Sequence, residues 1–277
     1  MANKDTSIKL KDRKLNQGQL GVLLKLYRYR FGTRELIATS LGKKNSTSIY
    51  SRLDILKENG YIASKYEKSY KLSGKPASYY LLPKGLRSLQ QYTHRDDITD
   101  TAIKNSYRDN YETVTDQFID SNLAVYAISN QLQALYPAIK QFTKRELVIY
   151  KYFPKRLPDL YLSLNVKNDT RRYFLDLIET TDKPFAINWQ LGLLANYFQN
   201  GQWQAKGNPF PVIMYVCETG ELEKRIRKQV NAAVYKFGVE IQFYTSTQNA
   251  LMYSTQNDDA IWSSVEEPDK LIALKEI

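Results

Sequence analysis

The chain has very little of what builds metal and redox centres: one cysteine, Cys217, and one histidine, His94, among 277 residues. That scarcity excludes a disulfide framework, a zinc ribbon and every metal site made from several Cys or His ligands. Any bound cation would have to be held by oxygen. No apolar run approaches the ~18 to 20 residues of a membrane span, and the opening "MANKDTSIKLKDRK" lacks the apolar region of a secretory signal. A soluble, cytoplasmic protein without a membrane partner is the expectation. There is no GxGxxG or Walker sequence, so nucleotide binding has no support. Nor is there a G-x-S-x-G, and a histidine-based triad would depend on His94, which reads as a surface residue.

Acidic residues are scarce in one place only. Residues 1–95 carry 20 Lys and Arg against 6 Asp and Glu, whereas the remainder carries 20 against 23. The whole positive excess of the chain, +11, therefore sits in its first third. Such an asymmetry points to a nucleic-acid or anionic-membrane surface, the bland alternative being a solvated lysine-rich face. At 277 residues, with 43% hydrophobic content, two units with cores of their own are expected.

The pattern within the basic third favours DNA. "QGQLGVLLKLYRYRF" places Leu20, Leu23, Leu24, Tyr27 and Phe31 on one helical stripe and leaves Lys25, Arg28 and Arg30 nearer solvent. Thr33 is a cap for a short second helix stopped by Gly42, and Ser46 for a third helix through Asn59 that buries Ile49, Leu53 and Leu56. The opposite face of that third helix presents Lys44, Thr47, Ser51 and Asp54 with Ser48 and Tyr50 beside them. Small hydroxyls, a tyrosine and lysines near a helix N-terminus are what a recognition helix offers to base edges and phosphates. Two strands follow, over 61–66 and 77–82, joined by a loop with Lys65, Lys68, Lys71 and Lys75 interleaved with Tyr66 and Tyr70. The order of helix, helix, helix and wing resembles the winged helix-turn-helix domains of bacterial regulators and replication proteins. Lys43, Lys44, Thr47, Ser48, Tyr50, Ser51, Arg52, Lys65, Lys68, Lys71 and Lys75 are the candidate DNA-binding residues, Arg52 lying near the buried side.

From Thr93 a polar, acidic stretch reads as a linker or an exposed helix. Leu123, Val125, Ile128, Leu132 and Leu135 then mark an amphipathic helix ended by Pro137. Its apolar face suits a symmetric homodimer or packing on the chain's own second domain. Beyond it strands and helices alternate: "ELVIYKYF", "LPDLYLSLNV" and "RRYFLDLIE" read as strands, 187–199 as a helix, "FPVIMYVCE" as a strand, "ELEKRIRKQVNAAVYKFG" as a helix and "VEIQFYTS" as a strand. That alternation implies an α/β sheet, at least partly parallel. The expected organisation is thus a DNA-binding domain over 1–95, a linker with connecting helix over 96–137, and an α/β domain over 138–277.

"LPD" before one strand and a carboxylate in the next resembles the PD-(D/E)xK nuclease fold. In that family the two carboxylates bind Mg²⁺ and a lysine two residues on addresses the same phosphate, since residues i and i+2 of a strand share a face. Here Pro158, Asp159 and Asp176 match, but Ile178 stands at the lysine position. Glu179 or Lys183 could substitute only through a bulge or a returning loop. The full set, an N-terminal winged helix, a linking helix, "LPDLYLSL", "YFLDLIE" and "LLANYF", resembles the replication-relaxation family of plasmids and integrative elements over roughly residues 15–235.

The resemblance implies a DNA-binding accessory factor of replication or mobilisation, with double-stranded DNA and replication or transfer proteins as partners. In the family's typical strand a second acidic residue and then an arginine follow. Ile178 and Glu179 stand there instead, which argues against catalysis. Asp159 and Asp176 are then vestigial, no cofactor or metal is expected, and Mg²⁺ enters only under the alternative of an active endonuclease. A plain transcriptional repressor is the third reading.

Overall fold

The computed structural model describes residues 15–93, 98–99, 113–167, 169–204 and 207–277. His94 and most of the expected polar linker lie outside the described residues. The fold is mixed α/β with two sheets, one of three strands and one of seven.

Helix α1 (Gln17–Tyr29) starts at a capping box in which the Gln19 N–H donates to Asn16 Oδ1 at 2.9 Å and the Asn16 N–H donates to Gln19 Oε1 at 3.0 Å. A short strand β1 (Phe31–Gly32) leads to α2 (Arg34–Ser40), capped by the Thr33 hydroxyl. Helix α3 (Thr47–Glu58) buries Ile49, Leu53 and Leu56, the face its spacing predicted. Its cap is not the expected Ser46. That residue is already in the αR region and makes no side-chain cap, and Asn45 Oδ1 instead accepts the Thr47 N–H at 2.7 Å. Strands β2 (Ile62–Lys65) and β3 (Ser78–Leu81) pair antiparallel, with a short helix α4 (Lys68–Leu72) inserted between them where a plain loop was expected. Strand β1 adds to the far side of β3, and α5 (Pro83–Thr93) follows.

Helix α6 (Asp116–Leu135) buries Ile119, Tyr126, Ile128, Leu132 and Leu135. Strand β4 (Lys140–Thr143) and the helical turn α7 (Lys144–Leu147) come next. The expected strand "ELVIYKYF" is therefore misplaced. Thr143 donates through its N–H and its hydroxyl to Glu146 Oε2, at 3.0 and 3.2 Å, which closes a helical turn there and leaves the strand to residues just before it. Strands β5 (Leu160–Val166) and β6 (Asp169–Ile178), helix α8 (Pro184–Gln199), β7 (Val212–Cys217), α9 (Gly220–Phe237), β8 (Phe243–Thr247), α10 (Gln248–Tyr253), β9 (Trp262–Ser264) and β10 (Leu271–Ile272) complete the chain. The large sheet runs β10-β9-β8-β7-β6-β5-β4, parallel only where β7 meets β6 and β8.

Alternation along β6 and β7 splits the core in two. Tyr173, Leu175, Leu177, Met214 and Val216 face one side and join a buried cluster that includes Leu23, Leu26, Leu53, Ile128 and Leu132. Phe174, Ile178, Ile213, Tyr215 and Cys217 face the other and pack under Leu191 of α8 and Leu222, Ile226 and Val230 of α9. The N-terminal helices and the large sheet thus share one core through α6. This removes the premise for a dimer on α6: Ile128 and Leu132 are fully buried, Leu135 nearly so, and Leu123 packs beside Phe31 and Ile119. Among the described residues no helix is long and apolar enough to cross a membrane.

Candidate nucleic-acid interface and the carboxylate pair

The turn before α3 and the helix's first turn leave Lys43, Lys44, Thr47, Ser48, Tyr50 and Ser51 exposed. Tyr50 keeps 52% of its surface, and it lines a cleft with Arg34, Tyr66, Lys71 and Tyr79, so the outer face of α3 and the β2–β3 hairpin border one concavity. Arg52 lies differently. Its guanidinium rests on α1 at Gly18, where a Cβ would stand 2.7 Å from Cζ, so glycine there gives the side chain its seat.

The four hairpin lysines divide into two pairs. Lys65 Nζ lies 3.0 Å from Asp116 and donates to the Val114 carbonyl at 3.2 Å, and Lys75 Nζ sits 2.8 Å from Asp120 and 4.7 Å from the Tyr70 ring centre. The Tyr70 hydroxyl donates to Asp116 at 2.5 Å, and this hydrogen bond, followed by that of Lys65, holds the Asp116 carboxyl below the usual aspartate range. Lys65 and Lys75 are thus not the free cations the sequence suggested, because the first turns of α6 bring carboxylates to them. Lys68 and Lys71, on α4, are exposed and make no ion pair among the described residues. Helix α1 also departs from expectation: Arg28 turns inward onto Glu146 at 2.9 Å and the Gln141 carbonyl at 2.6 Å. Burial, then Arg28, pulls the Lys25 ammonium down to about 8.

Asp159 and Asp176 do come together, at the start of β5 and within β6. Asp176 is buried; its Oδ1 accepts the Asp159 N–H at 3.1 Å and its Oδ2 the Arg156 guanidinium at 3.2 Å. Asp159 accepts the Leu177 N–H at 2.9 Å through Oδ2 and the Lys144 ammonium through Oδ1. Burial raises the Asp176 carboxyl, with Arg156 opposing that shift. Two carboxylates are therefore matched by two cations, and each of the four oxygens already has a donor.

This arrangement does not fit a divalent cation well, because Lys144 and Arg156 already supply the positive charge that balances the two carboxylates. Among the described residues no group of three or more His, Cys, Asp or Glu could hold a metal ion. Ile178, at the lysine position, is buried under α8 and α9. Lys183 is the exposed N-cap residue of α8, and Glu179 accepts the Ser121 hydroxyl while its N–H donates to Asp182 at 2.8 Å. Glu179 borders the same cleft as Lys144, Arg156 and Asp159 but brings a carboxylate there rather than a cation. Sequence reasoning overlooked Lys144, which lies 15 residues before Asp159 and is brought to it only by the β4–β5 pairing.

A family model described as replication-relaxation matches residues 23–213. No curated protein sequence matches the chain. Of solved structures, a Lactococcus lactis ZitR double mutant is similar at 20% identity and a TM-score of 0.26, over 45% of this chain and 75% of that one. Restriction endonuclease FokI is similar at 10% identity and a TM-score of 0.31, over 84% of this chain and 43% of that enzyme's chain. At these scores neither likeness bears on function.

Proposed function

Given that the chain belongs to the replication-relaxation family, whose model spans more than half of it, we propose that it is a sequence-specific double-stranded-DNA-binding accessory protein of plasmid or mobile-element replication or mobilisation. A winged helix-turn-helix within residues 15–93 reads the duplex, and the α/β part beyond residue 138 is a PD-(D/E)xK-like scaffold that supports it without cutting. The observation that carries this reading is the exposed start of α3, with Lys43, Lys44, Thr47, Ser48, Tyr50 and Ser51 open to solvent and Tyr50 sharing a cleft with Lys71 of the hairpin. Hydroxyls and a tyrosine at a helix N-terminus address base edges, while lysines on a flanking hairpin address phosphates and set register. Lys65 and Lys75 act one step back: tied to Asp116 and Asp120, they fix the hairpin to α6.

The catalytic silence of the scaffold rests on chemistry. Hydrolysis of a phosphodiester needs a positioned water and positive charge free to meet the developing anion. Lys144 and Arg156 are neutralised by the carboxylates they hold, and Ile178 offers no donor. Selection of bound duplexes from a random pool, followed by footprinting with full-length protein, tests the reading. Enrichment of a defined site supports it, and recovery of unrelated sequences with equal affinity overturns it. Nicking of supercoiled target in Mg²⁺ or Mn²⁺ that vanishes in Asp159→Ala and Asp176→Ala would replace the scaffold with an active endonuclease.

A further inference from the structure

Helix α9 carries Lys224, Arg225, Arg227, Lys228 and Lys236, and the fold uses them unequally. Arg227 is structural: it pairs with Glu223 and donates to Thr245 Oγ1 at 2.8 Å and Ser263 Oγ at 2.6 Å. Lys224, Arg225 and Lys228 point outward, are exposed, and make no ion pair among the described residues. Farther along the same outer side, Tyr235 is 91% exposed. The buried stripe of Leu222, Ile226 and Val230 anchors the helix on the sheet, so the basic side can turn only toward solvent.

A solvated helix of a folded domain usually intersperses its charges with both signs. Here Glu221, one turn before Lys224 and Arg225, forms no ion pair with either, and Glu223 is spent on Arg227. The cations from Lys224 to Lys228 span about 6 Å at ~1.5 Å per residue, and Tyr235 lies about 10 Å farther along the same side. Duplex DNA presents one charge per ~1.7 Å of axis, so even the short cationic stretch faces several phosphate charges. A row of long cations ending in an exposed aromatic ring suits a phosphate backbone and carries no base code.

The position of this row decides what it can hold. The N-terminal helices pack on the sheet face formed by Tyr173, Leu175 and Leu177, whereas α9 covers the face formed by Phe174 and Ile178. With a sheet and a helix layer of roughly 10 Å each between them, one straight duplex cannot lie on both α3 and α9. We propose that the outer face of α9 holds a second duplex segment by its phosphates, so that one molecule bridges two stretches of DNA. The inference rests on the reading above only for DNA as the ligand of α3.

The test is co-capture by full-length protein of a fluorescent random-sequence duplex on beads carrying a biotinylated duplex with the selected site. Wild type is expected to co-capture, and the triple variant Lys224→Ala, Arg225→Ala, Lys228→Ala to lose this at least about tenfold while binding the beads normally. The pair Lys224→Arg and Lys228→Arg, which keeps the charge, should co-capture as wild type does. Absence of co-capture in wild type, or its persistence in the triple variant, overturns the proposal; the first result would leave the face to an acidic protein and the second would place bridging elsewhere. Bead binding that survives substitution of Thr47, Ser48 and Tyr50 would instead unseat α3, and the dependence of co-capture on α9 would still be read.

Discussion

Removing Asp176 should unfold the protein more easily, and Mg²⁺ should not matter. Asp176 is buried and satisfies two donors, the Asp159 N–H and the Arg156 guanidinium. Breaking a buried ion pair from one side costs about 3–5 kcal/mol. The Arg156 side chain keeps 31% exposure and has Asp159 as a second counter-charge, so water and Asp159 recover part of that. With the orphaned N–H adding about 1 kcal/mol, Asp176→Ala should lose about 3 kcal/mol, a fall in Tm of roughly 6–10 °C for a chain of this size. Arg156→Met should cost a similar amount, and the double variant Asp176→Ala with Arg156→Met should cost less than the sum, by about 1–3 kcal/mol. Urea unfolding followed by tryptophan fluorescence measures all of these. In the same assay millimolar Mg²⁺ should leave wild-type stability unchanged, since a ligand bound only to the folded state would raise it. Single variants as stable as wild type with an additive double, or stabilisation by Mg²⁺ that disappears in Asp176→Ala, would refute the description of these residues as a structural cluster.

In salt-titrated binding, Lys68→Ala with Lys71→Ala should flatten the dependence of log K on log salt by about 0.9 for each phosphate that is no longer neutralised, whereas Lys65→Ala should act chiefly by loosening the hairpin. Lys25, whose folded value of about 8 lies below its ordinary 10.5, is charged in both states below pH 8; its burial penalty is fully present there and is relieved as pH rises from 8 to 10.5. Lys25→Met should therefore stabilise at pH 7 by about 1–2 kcal/mol after allowance for partial exposure, with the advantage shrinking across that window in chemical denaturation. Gly85→Ala should destabilise by about 1–3 kcal/mol in thermal melts, because its Cβ would stand 2.3 Å from the Tyr61 carbonyl oxygen.

Much of this was legible in the chain because local chemistry and tertiary structure agree. Ile49, Leu53 and Leu56 recur at helical spacing and are all fully buried, and the apolar run of β6 reads as the central strand it is. The failures occur where distant residues decide. Nothing near Lys65 or Lys75 in sequence announces Asp116 and Asp120, and nothing near Asp159 announces Lys144; each pair is made by chain segments brought together in the fold. The strand expected at 146–153 failed because "ELVIYKYF" has β-forming residues but Glu146 is drawn back to Thr143. The stripe of α6 reads as apolar from its spacing, but spacing does not distinguish a dimer face from internal core, and in the fold Ile128, Leu132 and Leu135 are core.

In the proposed interface α3 reads sequence while the hairpin supplies charge. The most direct measurement compares affinity for the selected site and for random duplex, at one fixed salt concentration, in wild type and in the triple variant Thr47→Ala, Ser48→Ala, Tyr50→Ala. The ratio of the two affinities should collapse toward one while random-duplex binding changes little. A ratio preserved in the triple variant would contradict it and move sequence readout off α3.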